Sequence, residues 1–235
     1  MEKLLINTIY PATEGEGVRI GEAQIFVRFQ GCAVHCVNCD SKETWAFDET
    51  RAKDLSWVLE EIKRFGHDGK IKTVSITGGD PLHARHRKGL LELILSLKRE
   101  NYFLNIEVTG LEFAPDVFAL VDFISMDLKT ISCKKPGSIG PLVETALHFA
   151  QKLQIKSVIQ TKEDFDFVLK SYDEMQASLG KISFPWVLTP AFNLDEEKPL
   201  ERIDQIFKWN ESHGGLFRVI IQQHKLIYGT KRKDV

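Results

Sequence analysis

Three of the four cysteines fall within one short run, Cys32-Ala33-Val34-His35-Cys36-Val37-Asn38-Cys39. Thiolates this close converge around a soft metal or a cluster, whereas a disulfide framework spreads its cysteines along the chain. A structural zinc site takes four ligands, usually as two separated pairs, and there is no second pair here. His35 abuts Cys36 and is expected to point elsewhere. Cys133 stands far off in the sequence and reads as a small core residue rather than a fourth ligand. The spacing C-x3-C-x2-C therefore favours an iron–sulfur cube over zinc. Three cysteines on such a cube leave one iron without a protein ligand, an open position of the kind a catalytic metal needs.

The other polar clusters sit where short apolar runs end. Gln30-Gly31-Cys32 follows Ile25 to Phe29, and Thr77-Gly78-Gly79-Asp80 follows Thr73 to Ile76. Glu107-Val108-Thr109-Gly110 closes Phe103 to Val108, and Asp127-Leu128-Lys129 follows Phe123 to Met126. Helix-period runs separate them. Asp54 is placed to cap a helix with the stripe Leu55, Val58, Leu59, Ile62 and Phe65, and a leucine-rich helix spans 88–99. Leu142, Ala146, Phe149 and Leu153 mark a helix leading into strand Ile155 to Ile159. Phe165, Leu169 and Tyr172 mark the next helix, before a short strand Trp186 to Leu188. Leu200, Ile203 and Phe207 precede a last strand, Phe217 to Ile221. Such alternation implies right-handed crossovers and one parallel sheet, with active residues at the carboxyl ends of its strands. Six or seven strands are too few for a closed eight-fold barrel, which leaves an incomplete barrel or an open doubly wound sheet.

The 235 residues, 43% hydrophobic and 27% charged, suffice for a full core. A net charge of −2 argues against a protein built to neutralise nucleic-acid phosphates. No apolar run is long enough to span a membrane, and MEKLLINTIY lacks the apolar stretch of a signal peptide. A reducing, cytoplasmic setting is the expectation.

The cysteine spacing, with Thr77-Gly78-Gly79-Asp80-Pro81, resembles the radical S-adenosylmethionine superfamily, Asp80 standing where Glu is usual. The resemblance implies an α/β fold, an incomplete (βα) barrel of about six parallel strands, in one domain over 1–235. It also implies that the open iron holds S-adenosylmethionine, and that one electron from the cluster cleaves it to a 5′-deoxyadenosyl radical. A narrower resemblance is to the 7-carboxy-7-deazaguanine synthase family. It runs through 9–45 (IYPATEGEGVRIGEAQIFVRFQGCAVHCVNCDSKETW), 123–129 (FISMDLK), 154–167 (QIKSVIQTKEDFDF) and 218–229 (RVIIQQHKLIYG). That family converts 6-carboxy-5,6,7,8-tetrahydropterin into 7-carboxy-7-deazaguanine with loss of ammonia, in 7-deazapurine and queuosine biosynthesis. It uses Mg2+ and regenerates S-adenosylmethionine.

On this resemblance Cys32, Cys36 and Cys39 hold a [4Fe-4S] cluster and the Ser41 hydroxyl ligates Mg2+. Asn38, Cys39, Asp40, Gly79, Asp127, Leu128 and Lys129 line the S-adenosylmethionine site. Thr13, Glu14, Gly15, Glu16, Arg28 and Thr77 contact the pterin, and Glu107 is the candidate base. Glu14 replaces the glutamine common in the family, and a glutamate donates only when protonated. Arg28 shares a pleat face with Gln24 and Phe26; a guanidinium there needs an anion, either a nearby acid or the substrate's carboxylate. His224 falls in a predicted strand tail. The expected partners are the small-molecule pterin, a flavodoxin-type or other one-electron reductant and a second copy of the chain, with no nucleic acid and no membrane. A glycyl-radical activating enzyme shares the cysteine spacing and an Asp-Leu-Lys segment, but the GEG run and the QQHK stretch speak against it. A zinc-stabilised nucleic-acid module would have only Lys231-Arg232-Lys233 as a basic footprint.

Overall fold

The computed structural model describes residues 3–193 and 199–235. In chain order its strands are β1 (Leu4–Thr13), β2 (Ala23–Phe29), β3 (Ala52–Lys53), β4 (Thr73–Gly78), β5 (Phe103–Val108), β6 (Phe123–Asp127), β7 (Leu153–Ile159), β8 (Trp186–Pro190) and β9 (Arg218–Val219). The helices are α1 (Leu55–Phe65), α2 (Arg87–Arg99), α3 (Pro115–Phe118), α4 (Gly140–Phe149), α5 (Lys162–Leu179), α6 (Leu200–Ser212) and α7 (Gln223–Tyr228). One sheet runs β3-β1-β2-β4-β5-β6-β7-β8-β9. Every neighbouring pair from β2 to β9 is parallel, while β1 is antiparallel to both β2 and β3.

Side chains alternate across a strand, so the sheet has two faces. On one, Ile25, Val27, Phe29, Val74, Ile76, Leu104, Ile106, Ile124, Met126 and Ile155 are buried. They pack in a single core with Val58 and Ile62 of α1, Leu90, Leu93 and Leu97 of α2, and Phe165 and Val168 of α5. The other face is polar. Gln24 and Arg28 of β2, Ser75 and Thr77 of β4, Asn105 and Glu107 of β5, Ser125 and Asp127 of β6, and Gln154 and Lys156 of β7 share it. Register sets Arg28 beside Thr77, Ser75 beside Asn105, Glu107 beside Ser125 and Asp127 beside Lys156. Some buried members bond one another: Asn105 Nδ2 donates to Ser75 Oγ at 2.9 Å and Gln154 Nε2 to Ser125 Oγ at 2.7 Å, while Asn105 Oδ1 and Gln24 Oε1 have no partner among the described residues.

Several local expectations are corrected. Strand β1 was hidden by Asn7 and Pro11; Pro11 is tolerated because β3 pairs only with Leu4 and Leu5, which leaves the rest of β1 an edge. Asp54 occupies the N-cap of α1, but its side chain makes no cap bond. Leu153 starts β7 instead of ending α4, and the last strand shrinks to Arg218–Val219. His224 lies in α7, not in a strand tail. Among the described residues no helix is long and apolar enough to cross a membrane.

Candidate active site

The carboxyl ends of β2, β4, β5 and β6 open into a cavity of about 260 Å³. It gathers all the residues singled out above: Thr13 to Glu16, Arg28, Cys32, Cys36, Asn38 to Ser41, Thr77, Gly79, Glu107 and Asp127 to Lys129. His224 and the segment 230–235 close one side, with Thr230 and Arg232 to Val235 on the wall.

The cysteine loop is tied to the β4 end by close backbone packing. Gly31 adopts φ +78° and donates its N–H to the Thr44 carbonyl at 2.6 Å. A Cβ on Gly79 would meet the Gly31 carbonyl oxygen at 2.2 Å, so no larger residue fits there. Asp80 faces away from the cavity, accepting from the Thr109 hydroxyl at 3.0 Å and the Leu82 N–H at 3.2 Å. His35 is exposed and stacks on Trp45 with ring centroids 4.7 Å apart, clear of the thiols, as the sequence suggests.

The thiols of Cys32, Cys36 and Cys39 are half-buried on one wall. Ser41 donates its N–H to Cys39 Sγ at 3.4 Å. The buried Trp45 indole N–H has no partner of ordinary geometry and sits beside the same sulfur, whose charged form it favours. Burial, with the Asp40 charge beside it, pushes the Cys39 thiol up; a coordinated metal deprotonates a thiol outright. Three half-buried thiols lining one cavity, with the Ser41 N–H donating to one of them, fit a cluster with one accessible iron. Cys133 is not remote: it lines the same cavity, and its thiol donates to Asn38 Oδ1 at 3.9 Å.

Three buried or half-buried lysines of the cavity are paired. Lys129 bonds Asp127, Lys156 bonds Glu16 at 2.6 Å and lies 3.8 Å from Asp127, and Lys225 lies 3.1 Å from Asp40. Burial works against the charge of Glu16, but Lys156 and His224 win and hold it at about 2. Asp40 is likewise held well below the usual carboxylate range, by Lys225 and Arg28 against its burial. Arg28 is different. Its Nη1 donates to Ser41 Oγ at 3.1 Å and its Nη2 to Tyr10 Oη at 2.6 Å, both neutral oxygens. Among the described residues no carboxylate pairs with it.

Glu107 accepts from Ser75 Oγ at 2.9 Å and from Thr77 Oγ at 3.2 Å. Glu14 accepts from Gln24 Nε2 at 2.6 Å and from the Glu16 N–H at 3.0 Å. Burial, with Glu107 nearby, pushes the Glu14 carboxyl up to about 8. Gly15 is pressed against His224, whose Nδ1 a Cβ would meet at 2.1 Å, so α7 packs directly on the 14–16 segment. Sequence reasoning missed Tyr10, Lys156, Gln222 and Lys225. Lys156 left a signal, a cation at period two from Gln154 in an otherwise apolar strand. Tyr10, Gln222 and Lys225 left none, because only tertiary packing brings β1 and α7 to the cavity.

A family defined as a 4Fe-4S single cluster domain matches residues 13–120. The fold is similar to the crystal structure of QueE from Escherichia coli, with a TM-score of 0.68, 22% identity, and 94% of this chain and 95% of that one covered. It is also similar to Streptococcus suis SuiB bound to S-adenosylmethionine, with a TM-score of 0.52, 14% identity, and 84% and 46% covered. In sequence the chain is 30% identical over 225 residues to the 7-carboxy-7-deazaguanine synthase of Aquifex aeolicus, which covers 94% of this chain and 92% of that one. Likeness at this level over nearly the full length, on a fold whose strand ends converge on three thiols, places the chain in the 7-carboxy-7-deazaguanine synthase family.

Proposed function

We propose that this chain is a radical S-adenosylmethionine enzyme that contracts 6-carboxy-5,6,7,8-tetrahydropterin to 7-carboxy-7-deazaguanine with loss of ammonia. The observation that carries the reading is Arg28: a cation at a strand end with only neutral partners, beside the cysteine loop, in a cavity whose buried lysines are all paired. It is matched to a carboxylate that arrives with the substrate.

Cys32, Cys36 and Cys39 would hold the cluster, which with S-adenosylmethionine supplies a 5′-deoxyadenosyl radical when bound. Asn38, Asp40, Gly79, Asp127, Leu128 and Lys129 lie where they would line the cofactor. Ser41 offers one neutral oxygen to Mg2+, with the Asp40 carboxylate 3.0 Å from it and the substrate carboxylate to add charge. Thr13, Gly15 and Glu16 face the pterin edge, and Thr77 orients it from the opposite strand. With its carboxyl raised to about 8, Glu14 is neutral near pH 7 and donates as the family's usual glutamine does. Glu107 is steadied by two hydroxyl donors and is the base that accepts a substrate proton. The sheet, parallel from β2 to β9, is read as part of an incomplete (βα) barrel of about six strands in one domain over 1–235. A flavodoxin-type reductant, a homodimeric assembly and a cytoplasmic setting belong to the same proposal.

The test is an anaerobic assay of the reconstituted chain with the tetrahydropterin, reductant and S-adenosylmethionine. Formation of the deazaguanine and ammonia is expected. Cleavage of S-adenosylmethionine without any deazaguanine would overturn the substrate assignment.

A further inference from the structure

Two successive residues on the polar face of β7, Gln154 and Lys156, hold the segment that follows β1. Gln154 Oε1 accepts from Val18 N at 2.9 Å, while its Nε2 donates to Ser125 Oγ of β6 at 2.7 Å. Gly17 lies so close that an added Cβ would meet Gln154 Nε2 at 2.4 Å. One pleat further on, Lys156 Nζ donates to Glu16 Oε2 at 2.6 Å, across 140 residues of sequence.

Lys156 also faces a second carboxylate. Register puts Asp127 of β6 beside it, with Oδ1 3.8 Å from Nζ, and the Lys156 carbonyl accepts from Leu128 N at 2.9 Å. The other two oxygens are engaged as well: Asp127 Oδ2 bonds Lys129, and Glu16 Oε1 bonds Gln222 Nε2. One buried ammonium therefore stands between two carboxylates, Asp127 on the wall assigned above to S-adenosylmethionine and Glu16 on the edge assigned to the pterin. Burial works against its charge, but Glu16 and Asp127 win and hold it well above the ordinary lysine value. A buried ion pair is weak evidence for stability, and its best attested use is to fix the register of the elements it joins. Here a shared cation fixes one ligand wall against the other.

We propose that Lys156 is a positioning residue that makes S-adenosylmethionine and the pterin bind cooperatively. A ligand that settles on Asp127 orders Lys156 and, through it, Glu16, so the second ligand meets an edge already set. The same holds in reverse, because a coupling between two binding sites is reciprocal. The inference rests on the function proposed above.

The test uses the full chain with its cluster reconstituted anaerobically and kept oxidised, so that S-adenosylmethionine binds without being cleaved. Dissociation constants for each ligand are measured by calorimetry, alone and with the other ligand saturating, in wild type, Lys156→Met and Lys156→Gln. In wild type each ligand is expected to tighten the other by the same factor, about five- to a hundred-fold. In Lys156→Met that factor should vanish, while S-adenosylmethionine alone binds within a few-fold of wild type. Lys156→Gln, whose neutral amide cannot hold both carboxylates, should lose the coupling too and carries the comparison if Lys156→Met does not fold. Independent binding in wild type would overturn the proposal. So would full coupling in either folded variant, even with a lowered Tm, because Lys156 would then be a structural partner alone. A wild-type chain that binds S-adenosylmethionine but not the tetrahydropterin would instead overturn the substrate reading itself.

Discussion

Replacing Arg28 by lysine keeps the charge and removes the fork. The guanidinium is already oriented by Tyr10 Oη at 2.6 Å and Ser41 Oγ at 3.1 Å, and it lies over the Tyr10 ring with Cζ 5.7 Å from the centroid. A single ammonium on a flexible stem cannot serve Tyr10, Ser41 and both oxygens of a substrate carboxylate. At least one charge-assisted hydrogen bond is lost, costing about 1.5–3 kcal/mol. That corresponds to a fall of about ten- to a hundred-fold in kcat/KM for ring contraction. Reductive cleavage of S-adenosylmethionine needs the cluster wall, not this contact. It should survive, uncoupled, so that 5′-deoxyadenosine accumulates in excess over product. Both compounds are quantified in one anaerobic reaction at several substrate concentrations. Unchanged coupling together with an unchanged KM would refute the reasoning and leave Arg28 a structural partner of Tyr10.

Alanine at Cys32, Cys36 or Cys39 should each abolish the visible charge-transfer band and most bound iron; retention of full iron in any one would remove that cysteine from the ligand set. Ser41→Ala should blunt the stimulation of turnover by Mg2+, whereas Ser41→Thr, with its hydroxyl kept, should preserve it. An equal Mg2+ response in Ser41→Ala and wild type would show that the ion binds elsewhere. Glu14 has an ordinary value of 4.5 and a folded value of about 8, so the folded chain holds the proton more tightly than the unfolded one. Its contribution to stability is full below the unfolded value and lost as pH climbs through the folded one. Glu14→Gln should therefore flatten the fall in Tm between about pH 5 and about pH 9; a parallel fall in both proteins would place the titration on another group.

The cysteine spacing and the strand-end clusters were legible because each depends on neighbours in sequence. A C-x3-C-x2-C loop presents its ligands from one turn, and Gly79 marks a close approach to the Gly31 backbone, whose carbonyl oxygen an added Cβ would meet at 2.2 Å. The parallel order also followed from local alternation. What stayed hidden depends on distant segments. Tyr10 lies on an edge strand interrupted by Asn7 and Pro11, and Lys225 reaches Asp40 only because α7 folds back on the 14–16 segment, with Gln223 N donating to the Gly15 carbonyl at 2.9 Å. The polar sheet face was the harder omission. Ser75, Asn105, Ser125 and Gln154 carry no local signal of burial, yet all four are buried. They share the sheet face that carries Arg28, Thr77, Glu107 and Asp127 into the cavity, and buried polar groups there need partners.

The same face explains why one chain can tolerate so many buried charges. Two of the three buried or half-buried lysines of the cavity are opposed by a carboxylate from a distant element, Lys156 of β7 by Glu16 after β1 and Lys225 of α7 by Asp40 of the cysteine loop, while Lys129 pairs with Asp127 two residues before it. These pairs cost desolvation, and a buried pair is weak evidence for stability by itself. Their consequence is geometric. They tie α7 and the 14–16 segment to the strand ends, and Arg28, hydrogen-bonded only to the neutral oxygens of Tyr10 and Ser41, is the cation positioned to take an arriving anion. That charge stands within hydrogen-bond reach of Ser41, two residues past the last of the clustered cysteines. An anionic group held there is brought to the cysteine loop by the strand that leads into it, and the order of residues along β2 thereby becomes the order of binding and chemistry in the site.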